Sequence, residues 1–263
     1  MAEIVFPDGV GNGVVPELEL KLAGLTLRGT SVAARATAFA VPELGVTLDL
    51  GRLSPTIAEQ PVVLLSHGHL DHLSGVLAYL NLRARFHPEP PPRLLVPRAI
   101  AGPLQQALAV MPGMESVRKR LRLEHVVTPV ENGDVIAIAG AEAAAFALDH
   151  GVPALGWSLR RSGDTRPALV YASDGSTEPL QAAPDLLDAE VAIVECTFVE
   201  KNRRIAARLA RHAHVSDWVE LAPTLKCMWL VLAHLPSLPR TELVALTAPL
   251  AEATSAKLVL WSA

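Results

Sequence analysis

The chain has 263 residues, half of them apolar and 19% charged, with a formal net charge of −4. That content can bury a large core, so one α/β domain spanning 1–263 is expected rather than two small ones. The mildly negative charge excludes a general field for polyanions and leaves any nucleic-acid contact to local basic patches.

Met1 to Pro16 carries Glu3 and Asp8 and has no positive stretch ahead of an apolar run, so it does not read as a secretory signal. No run approaches the roughly 18 apolar residues of a spanning helix, so no membrane partner is expected. The first fifty residues are β-rich, with short extended runs at Leu25 to Arg28, Thr37 to Ala40 and Val46 to Leu50 separated by Gly and Pro. A strand at Val62 to Leu65 follows. Ser74 to Phe86 then has the helical spacing of Leu77, Leu80 and Leu82. Pro88 to Pro92 reads as a loop, and Pro97 to Met111 as a helix with Pro97 at its start, where a missing N–H is harmless.

Strands return at Asp134 to Ala139, Ala143 to Leu148, Leu155 to Leu159, Ala168 to Ala172, Val191 to Val194 and Met228 to Leu232. Helices are expected near Ile205 to Ala210, Ser216 to Leu221 and Thr241 to Leu250. Two β-rich halves, each followed by helices, predict a four-layer αββα sandwich that carries ligands on loops at strand ends. The only two cysteines, Cys196 and Cys227, lie in apolar segments and are expected as buried free thiols, which fits a reducing cytoplasm.

Chemistry concentrates in His67-Gly68-His69-Leu70-Asp71-His72, directly behind Val62-Val63-Leu64-Leu65. A strand that stops in a tight, Gly-containing turn points His67 and His69 toward one spot, while Asp71 and His72 reach a neighbouring one. The bland alternative is a polar loop with a helix cap. Imidazole and carboxylate suit Zn²⁺, Mn²⁺ or Fe, and no cysteine is placed to compete, so a hydrolase metal site is expected. A dinuclear site needs about two or three further ligands at later strand ends. His150, Asp174 and His234 each close an apolar strand in the same way.

The ordered set His67, His69, Asp71, His72, His150, Asp174 and His234 resembles the metallo-β-lactamase superfamily, and more finely its ribonuclease Z (tRNase Z) branch in the short forms. Leu27 to Val32, Phe39 to Leu44, Leu48-Asp49-Leu50-Gly51, Ser66 to Gly75, Pro91 to Pro97, Glu195-Cys196-Thr197-Phe198 and His212-Ala213-His214-Val215-Ser216 are similar to stretches of that branch. The resemblance implies that His67, His69 and His150 hold one Zn²⁺, that Asp71, His72 and His234 hold the other, and that Asp174 bridges them. A hydroxide between the metals is then the nucleophile, and Asp71, His214 and Glu195 form the catalytic set. In it His214 protonates the leaving oxygen and Glu195 orients it, with His212 as the alternative acid and a helix-start role as the alternative for His214.

Departures from the branch are specific. Its tRNA-gripping arm falls between the residues matching His150 and Asp174, where this chain has only 151–173 and the turn Ser162-Gly163-Asp164-Thr165. Ser173-Asp174-Gly175 replaces Gly-Asp-Thr, and His234-Leu235-Pro236-Ser237-Leu238-Pro239 lacks the usual Arg-Tyr. Arg160, Arg161 and Arg166, the cluster Arg118, Lys119, Arg120 and Arg122, and Lys201, Arg203, Arg204, Arg208 and Arg211 are candidate phosphate contacts or simply solvated faces.

The expectation is therefore a dinuclear zinc hydrolase that cleaves a phosphodiester: the 3′ trailer of precursor tRNA, other RNA, or a smaller phosphodiester. Hydrolysis of an ester, lactone or thioester is the competing enzyme class, and a non-catalytic binding protein that keeps the metal site is a third reading. The resemblance also allows a homodimer.

Overall fold

Strand Val62–Leu64 and its parallel neighbours Val46–Leu48 and Arg93–Pro97 are buried along almost their whole length, the pattern of strands covered on both faces. The chain is described by a computed structural model over residues 4–10 and 17–262. Part of Met1 to Pro16, read above as no secretory signal, lies outside those residues.

Alternation along the strands divides the core. Leu48, Leu64 and Leu95 face a cluster shared with Trp157, Tyr171, Ile193, Val231 and Trp261. Val63, Leu65, Leu94 and Val96 face the other way, under Val76, Tyr79, Leu80, Leu108 and Val117. Val170, Ala192, Val194, Leu230 and Leu232 likewise turn outward beneath Trp218, Leu221, Leu243 and Leu250. Two sheets thus pack face to face with helices on both outer sides, the expected αββα sandwich.

Each sheet has eight strands among the described residues. One runs Asp8–Val10, Glu17–Leu22, Leu25–Val32, Ala36–Val41, Val46–Leu48, Val62–Leu64, Arg93–Pro97 and Val127–Val130. The other runs Ile4–Val5, Lys257–Leu260, Trp229–Ala233, Val191–Glu195, Leu169–Ala172, Pro153–Arg161, Ala141–Asp149 and Val135–Ile138. In place of an arm, Pro153–Arg161 and Leu169–Ala172 form an antiparallel hairpin with Trp157 opposite Tyr171.

Several boundaries differ from the sequence expectation. The strand Val46–Leu48 stops short of Leu50 because Asp49 turns at φ 56° and sends its side chain into the interior. The helix expected over Ser74 to Phe86 begins at Val76 and runs to Phe86, and a separate short helix, Leu70–Leu73, precedes it. Pro97 ends a strand and caps the helix Arg98–Val110 rather than beginning it. Helix Glu115–Leu121 was not expected: it buries Val117 and Leu121 and presents Arg118, Lys119 and Arg120 from its last turn. The strand Glu17–Leu22 was also passed over, because its Glu-Leu-Glu-Leu-Lys-Leu alternation carries charges on one face.

The turn after Val46–Leu48 seats the ligand-bearing helix backbone to backbone. Leu50 N–H donates to His72 O at 2.7 Å and Gly75 N–H donates to Leu50 O at 2.7 Å. A Cβ on Gly51 would lie 1.6 Å from Asp71 O. Gly51→Ala is therefore expected to lower stability by about 1–3 kcal/mol, the range for forced overpacking. A shift of the urea midpoint measures it, and an unchanged midpoint contradicts this packing.

Candidate metal centre

Parallel strands bring their carboxyl ends to one edge of a sheet, where loops can present side chains from a rigid base. Asp49 and Ser66 follow Val46–Leu48 and Val62–Leu64; Asp174, Glu195 and His234 follow or close Leu169–Ala172, Val191–Glu195 and Trp229–Ala233. His150 follows the antiparallel strand Ala141–Asp149 at the same edge. Loops from both sheets therefore meet over one spot.

All seven expected ligands come together there, in two sets. In the first, His69 Nδ1 lies 3.0 Å from His67 Nε2 and 3.1 Å from His150 Nε2. In the second, His234 Nε2 lies 3.3 Å from Asp71 Oδ2, and Asp174 Oδ2 is 3.4 Å from the Nε2 atoms of both His72 and His234. Within each set the ligand atoms fall within 4.8 Å of one another. Asp174 Oδ2 also lies 3.9 Å from His150 Nε2, between the two sets.

The donor set fits divalent cations. Buried His72 Nε2 and Asp174 Oδ1 have no hydrogen-bond partner among the described residues, although buried polar atoms are normally satisfied. Three imidazole nitrogens aimed at one point, beside two carboxylates and two more imidazoles, match the chemistry of zinc, manganese or iron sites.

Hydrogen bonds on the far sides of the rings fix their orientation, as ligating histidines require. Asp49 is fully buried; its Oδ1 accepts Ser66 N–H at 2.6 Å and its Oδ2 accepts Ser66 Oγ at 2.7 Å and His72 Nδ1 at 2.7 Å. Ser66 Oγ in turn lies 2.9 Å from His67 Nδ1. Since Ser66 donates its only proton to Asp49, it accepts from His67, leaving His67 Nε2 free. His150 Nδ1 donates to Arg211 O at 3.3 Å and His234 Nδ1 to Thr197 Oγ1 at 2.9 Å. Asp49 escaped the sequence reading as a site residue, although it closes Val46-Thr47-Leu48 just as Asp174 closes its strand.

Electrostatics follow from burial and neighbours. Burial pushes the Asp174 carboxyl up, but His234 and His72 outweigh it and hold the group well below the usual carboxylate range. Asp71 is opposed by burial in the same way and is drawn down to about 2 by its hydrogen bond to His234 and by His72. Burial and the neighbouring His72 push His67 down to about 3. His72 goes the other way: burial lowers it, yet Asp174 and Asp49 raise it well above the ordinary imidazole value. At neutral pH both ligand carboxylates are ionised and His67 is neutral, the protonation states that metal ligation needs.

The two histidines considered as the acid, His214 and His212, have different surroundings. His214 caps the helix Val215–Leu221: its Nδ1 accepts Ser216 N–H at 3.1 Å, and Asp217 accepts the His214 N–H in return. Its Nε2 donates to Glu200 O at 3.0 Å, so both nitrogens are occupied by the fold and neither faces the ligands. His212 meets Glu195 instead, with Nδ1 2.9 Å from Oε1. Its ring stacks parallel on His234, centroids 5.8 Å apart, and stands edge-on to His150 at 4.8 Å. Burial lowers the His212 pKa, but the hydrogen bond and charge of Glu195 raise it above the ordinary value. Glu195 is 2% exposed and is held by Ala213 N–H at 2.7 Å, Thr197 N–H at 2.7 Å and Gly175 N–H at 3.2 Å.

Many of the expected phosphate contacts have partners within the fold. Arg160 pairs with Glu142 at 2.6 Å, Arg161 with Glu190 at 3.0 Å, Arg166 with Asp188 at 3.0 Å, and Arg204 with Asp217 and Glu220. Arg118 spends its guanidinium on Leu108 O, Ala109 O and Glu115. Arg211 pairs with Asp149 at 3.0 Å, and its backbone carbonyl accepts His150 Nδ1. No helix among the described residues is long and apolar enough to cross a membrane.

The chain is similar to known proteins of this fold. A profile of the Beta-lactamase superfamily domain matches residues 41–235, from the end of the strand Ala36–Val41 to just past His234. The chloroplastic tRNase Z TRZ2 of Arabidopsis thaliana is 25% identical over 252 residues, covering 83% of this chain and 69% of that protein. Among solved structures, the metallo-β-lactamase-fold protein YhfI of Bacillus subtilis aligns with a TM-score of 0.66 at 15% identity, over 88% of this chain and 92% of that one. The short form of human tRNase Z aligns with a TM-score of 0.57 at 15% identity, over 90% and 91%. At those identities the two structures attest the fold alone.

His214→Ala is expected to cost about 0.5–2 kcal/mol, as loss of a helix cap does, and to leave zinc uptake unchanged. Urea unfolding and a zinc titration check both, and lost zinc uptake with full stability contradicts the capping role.

Proposed function

The chain belongs to the β-lactamase superfamily and is a metal-dependent hydrolase, and from that premise we propose that it cleaves a phosphodiester at a two-zinc centre. One observation carries the reading: a paired Glu195 and His212, the first buried and the second partly buried, stand against the ligand set, with His212 stacked on His234. A phosphodiester expels an alkoxide, which needs a proton. An acyl ester or lactone is less dependent on such an acid, so a built proton donor favours phosphodiester chemistry.

In this reading His67, His69 and His150 hold one cation and Asp71, His72 and His234 the other, with Asp174 between them. Two bound divalent cations supply positive charge that acidifies a water and offsets the charge on the attacked phosphate. Zinc is the first choice for these ligands, and manganese and iron also suit them.

The protein's own groups manage the proton. His212 Nδ1–H donates to Glu195, which keeps the ring in one tautomer and orientation and leaves Nε2 to carry the proton for the leaving oxygen, the logic by which a carboxylate orients a catalytic imidazole. Three backbone N–H groups and the Thr197 hydroxyl fix the position of the Glu195 carboxyl group. Asp71 is catalytic only as a ligand, and His214 has no part in the reaction.

RNA is the substrate class suggested by the tRNase Z relatives, the 3′ trailer of precursor tRNA included. The hairpin Pro153–Arg161 to Leu169–Ala172 leaves no arm to grip a tRNA body, so a shorter RNA or a small phosphodiester fits the site as well. A reducing cytoplasm suits the buried free cysteines, Cys196 and Cys227.

Zinc-loaded protein assayed on precursor tRNA, bis(p-nitrophenyl) phosphate and an acyl-homoserine lactone tests the proposal, with Asp174→Ala as background. On whichever phosphodiester with an alkoxide leaving group is turned over, His212→Ala is expected to lower kcat by about 10²–10⁴-fold. The loss should be smaller for the aryl phosphodiester, whose leaving group needs little protonation. Turnover of the lactone alone, or unchanged kcat in His212→Ala on every substrate, contradicts it.

A further inference from the structure

Asp49 receives five hydrogen bonds, and two of them cross between the sheets. Tyr171 OH donates to Asp49 Oδ2 at 2.6 Å, and Ser173 Oγ donates to the same oxygen at 3.3 Å. Tyr171 OH and Ser173 Oγ lie 2.9 Å apart. Both residues belong to the segment that delivers Asp174: Tyr171 is buried within the strand Leu169–Ala172, and Ser173 immediately precedes the ligand. Asp49 comes from the other sheet, and the oxygen that accepts Tyr171 also accepts His72 Nδ1 at 2.7 Å. One phenol thus links the strand bearing Asp174 to the carboxylate that aims His72.

The ring itself has a separate task. It packs inside the sandwich edge-on to Phe39, with centroids 6.3 Å apart. A phenylalanine would fill that space equally well, so packing does not require the hydroxyl. What the hydroxyl adds is a bond across the sheets at the level of the ligands. His72 and Asp174 belong to the same ligand set, 3.4 Å apart, and they come from opposite sheets.

We propose that Tyr171 is a positioning residue for the metal centre: its hydroxyl fixes the spacing between His72 and Asp174 and thereby the affinity of the carboxylate-containing set for its ion. The inference rests on the reading of the seven side chains as a two-ion centre. The three-histidine set depends less on this bond, because His67 reaches Asp49 through Ser66 on its own sheet.

Calorimetric titration of the chelator-stripped full chain with zinc chloride tests it. Wild type is expected to take two ions. Tyr171→Phe should keep one affinity and bind the other ion about 10–100-fold more weakly, the usual penalty for losing a group that orients ligands. Ser173→Ala, which removes the hydroxyl 2.9 Å from that of Tyr171, should weaken the same ion. Unchanged affinities in Tyr171→Phe, or equal losses at both ions, overturn the proposal. Should Tyr171→Phe fail to fold, unchanged affinities in Ser173→Ala overturn it. A wild-type protein that takes fewer than two ions overturns the two-ion reading instead. A purely structural tyrosine would lower the melting temperature without separating the two affinities.

Discussion

The site depends on the burial of one ionised carboxylate, Asp49, where the loops of the two sheets meet. A buried charge is tolerated only when it is fully hydrogen-bonded, and Asp49 meets that condition with donors from three segments: Ser66, His72, and the pair Tyr171 and Ser173. His72 is itself a metal-ligand candidate, Ser66 and Ser173 each immediately precede one, and Tyr171 lies on the strand that leads to Asp174. Satisfying the carboxylate and assembling the ligands are therefore the same event. The left-handed turn at Asp49, φ 56°, is the local strain that aims its side chain into this network.

A second carboxylate repeats the arrangement on the other side of the ligands. Glu195 closes a central strand and collects N–H groups from Gly175, Thr197 and Ala213 together with the imidazole of His212. The two carboxylates differ in what they orient. Asp49 holds His72 directly and His67 through Ser66, both of them ligand candidates, whereas Glu195 holds a histidine that stands beside the candidates, its Nε2 without a hydrogen-bond partner among the described residues. A scaffold of nearly fully buried strands beneath them limits how far either can relax, which is what a precise site requires of its supporting elements.

Much of this was legible in the sequence because the signals were local. His67, His69, Asp71 and His72 occupy one short turn behind an apolar strand, and His150, Asp174 and His234 each end an apolar run; parallel strands then bring such ends to one edge. Asp49 carries the same signature and passed unnoticed as a site residue, because one acid after the three-residue strand Val46–Leu48 looks like a turn. His212 and His214 were not separable by spacing. Their roles depend on Glu200 O and Ser216 engaging His214 and on Glu195 engaging His212, contacts that only the folded chain creates. The strands Glu17–Leu22 and Val127–Val130 escaped for a different reason: charges in one and a proline in the other weaken the apolar pattern, and pairing with neighbours supplies what the pattern lacks.

Diffraction from crystals grown with zinc, with anomalous data collected at the zinc edge, tests the central claim most directly. The account predicts two peaks, one within about 2.0–2.1 Å of nitrogens of His67, His69 and His150 and one at that distance from His72 and His234, with Asp174 reaching toward both. A single peak, or zinc bound elsewhere with these side chains hydrogen-bonded only to one another, would contradict it.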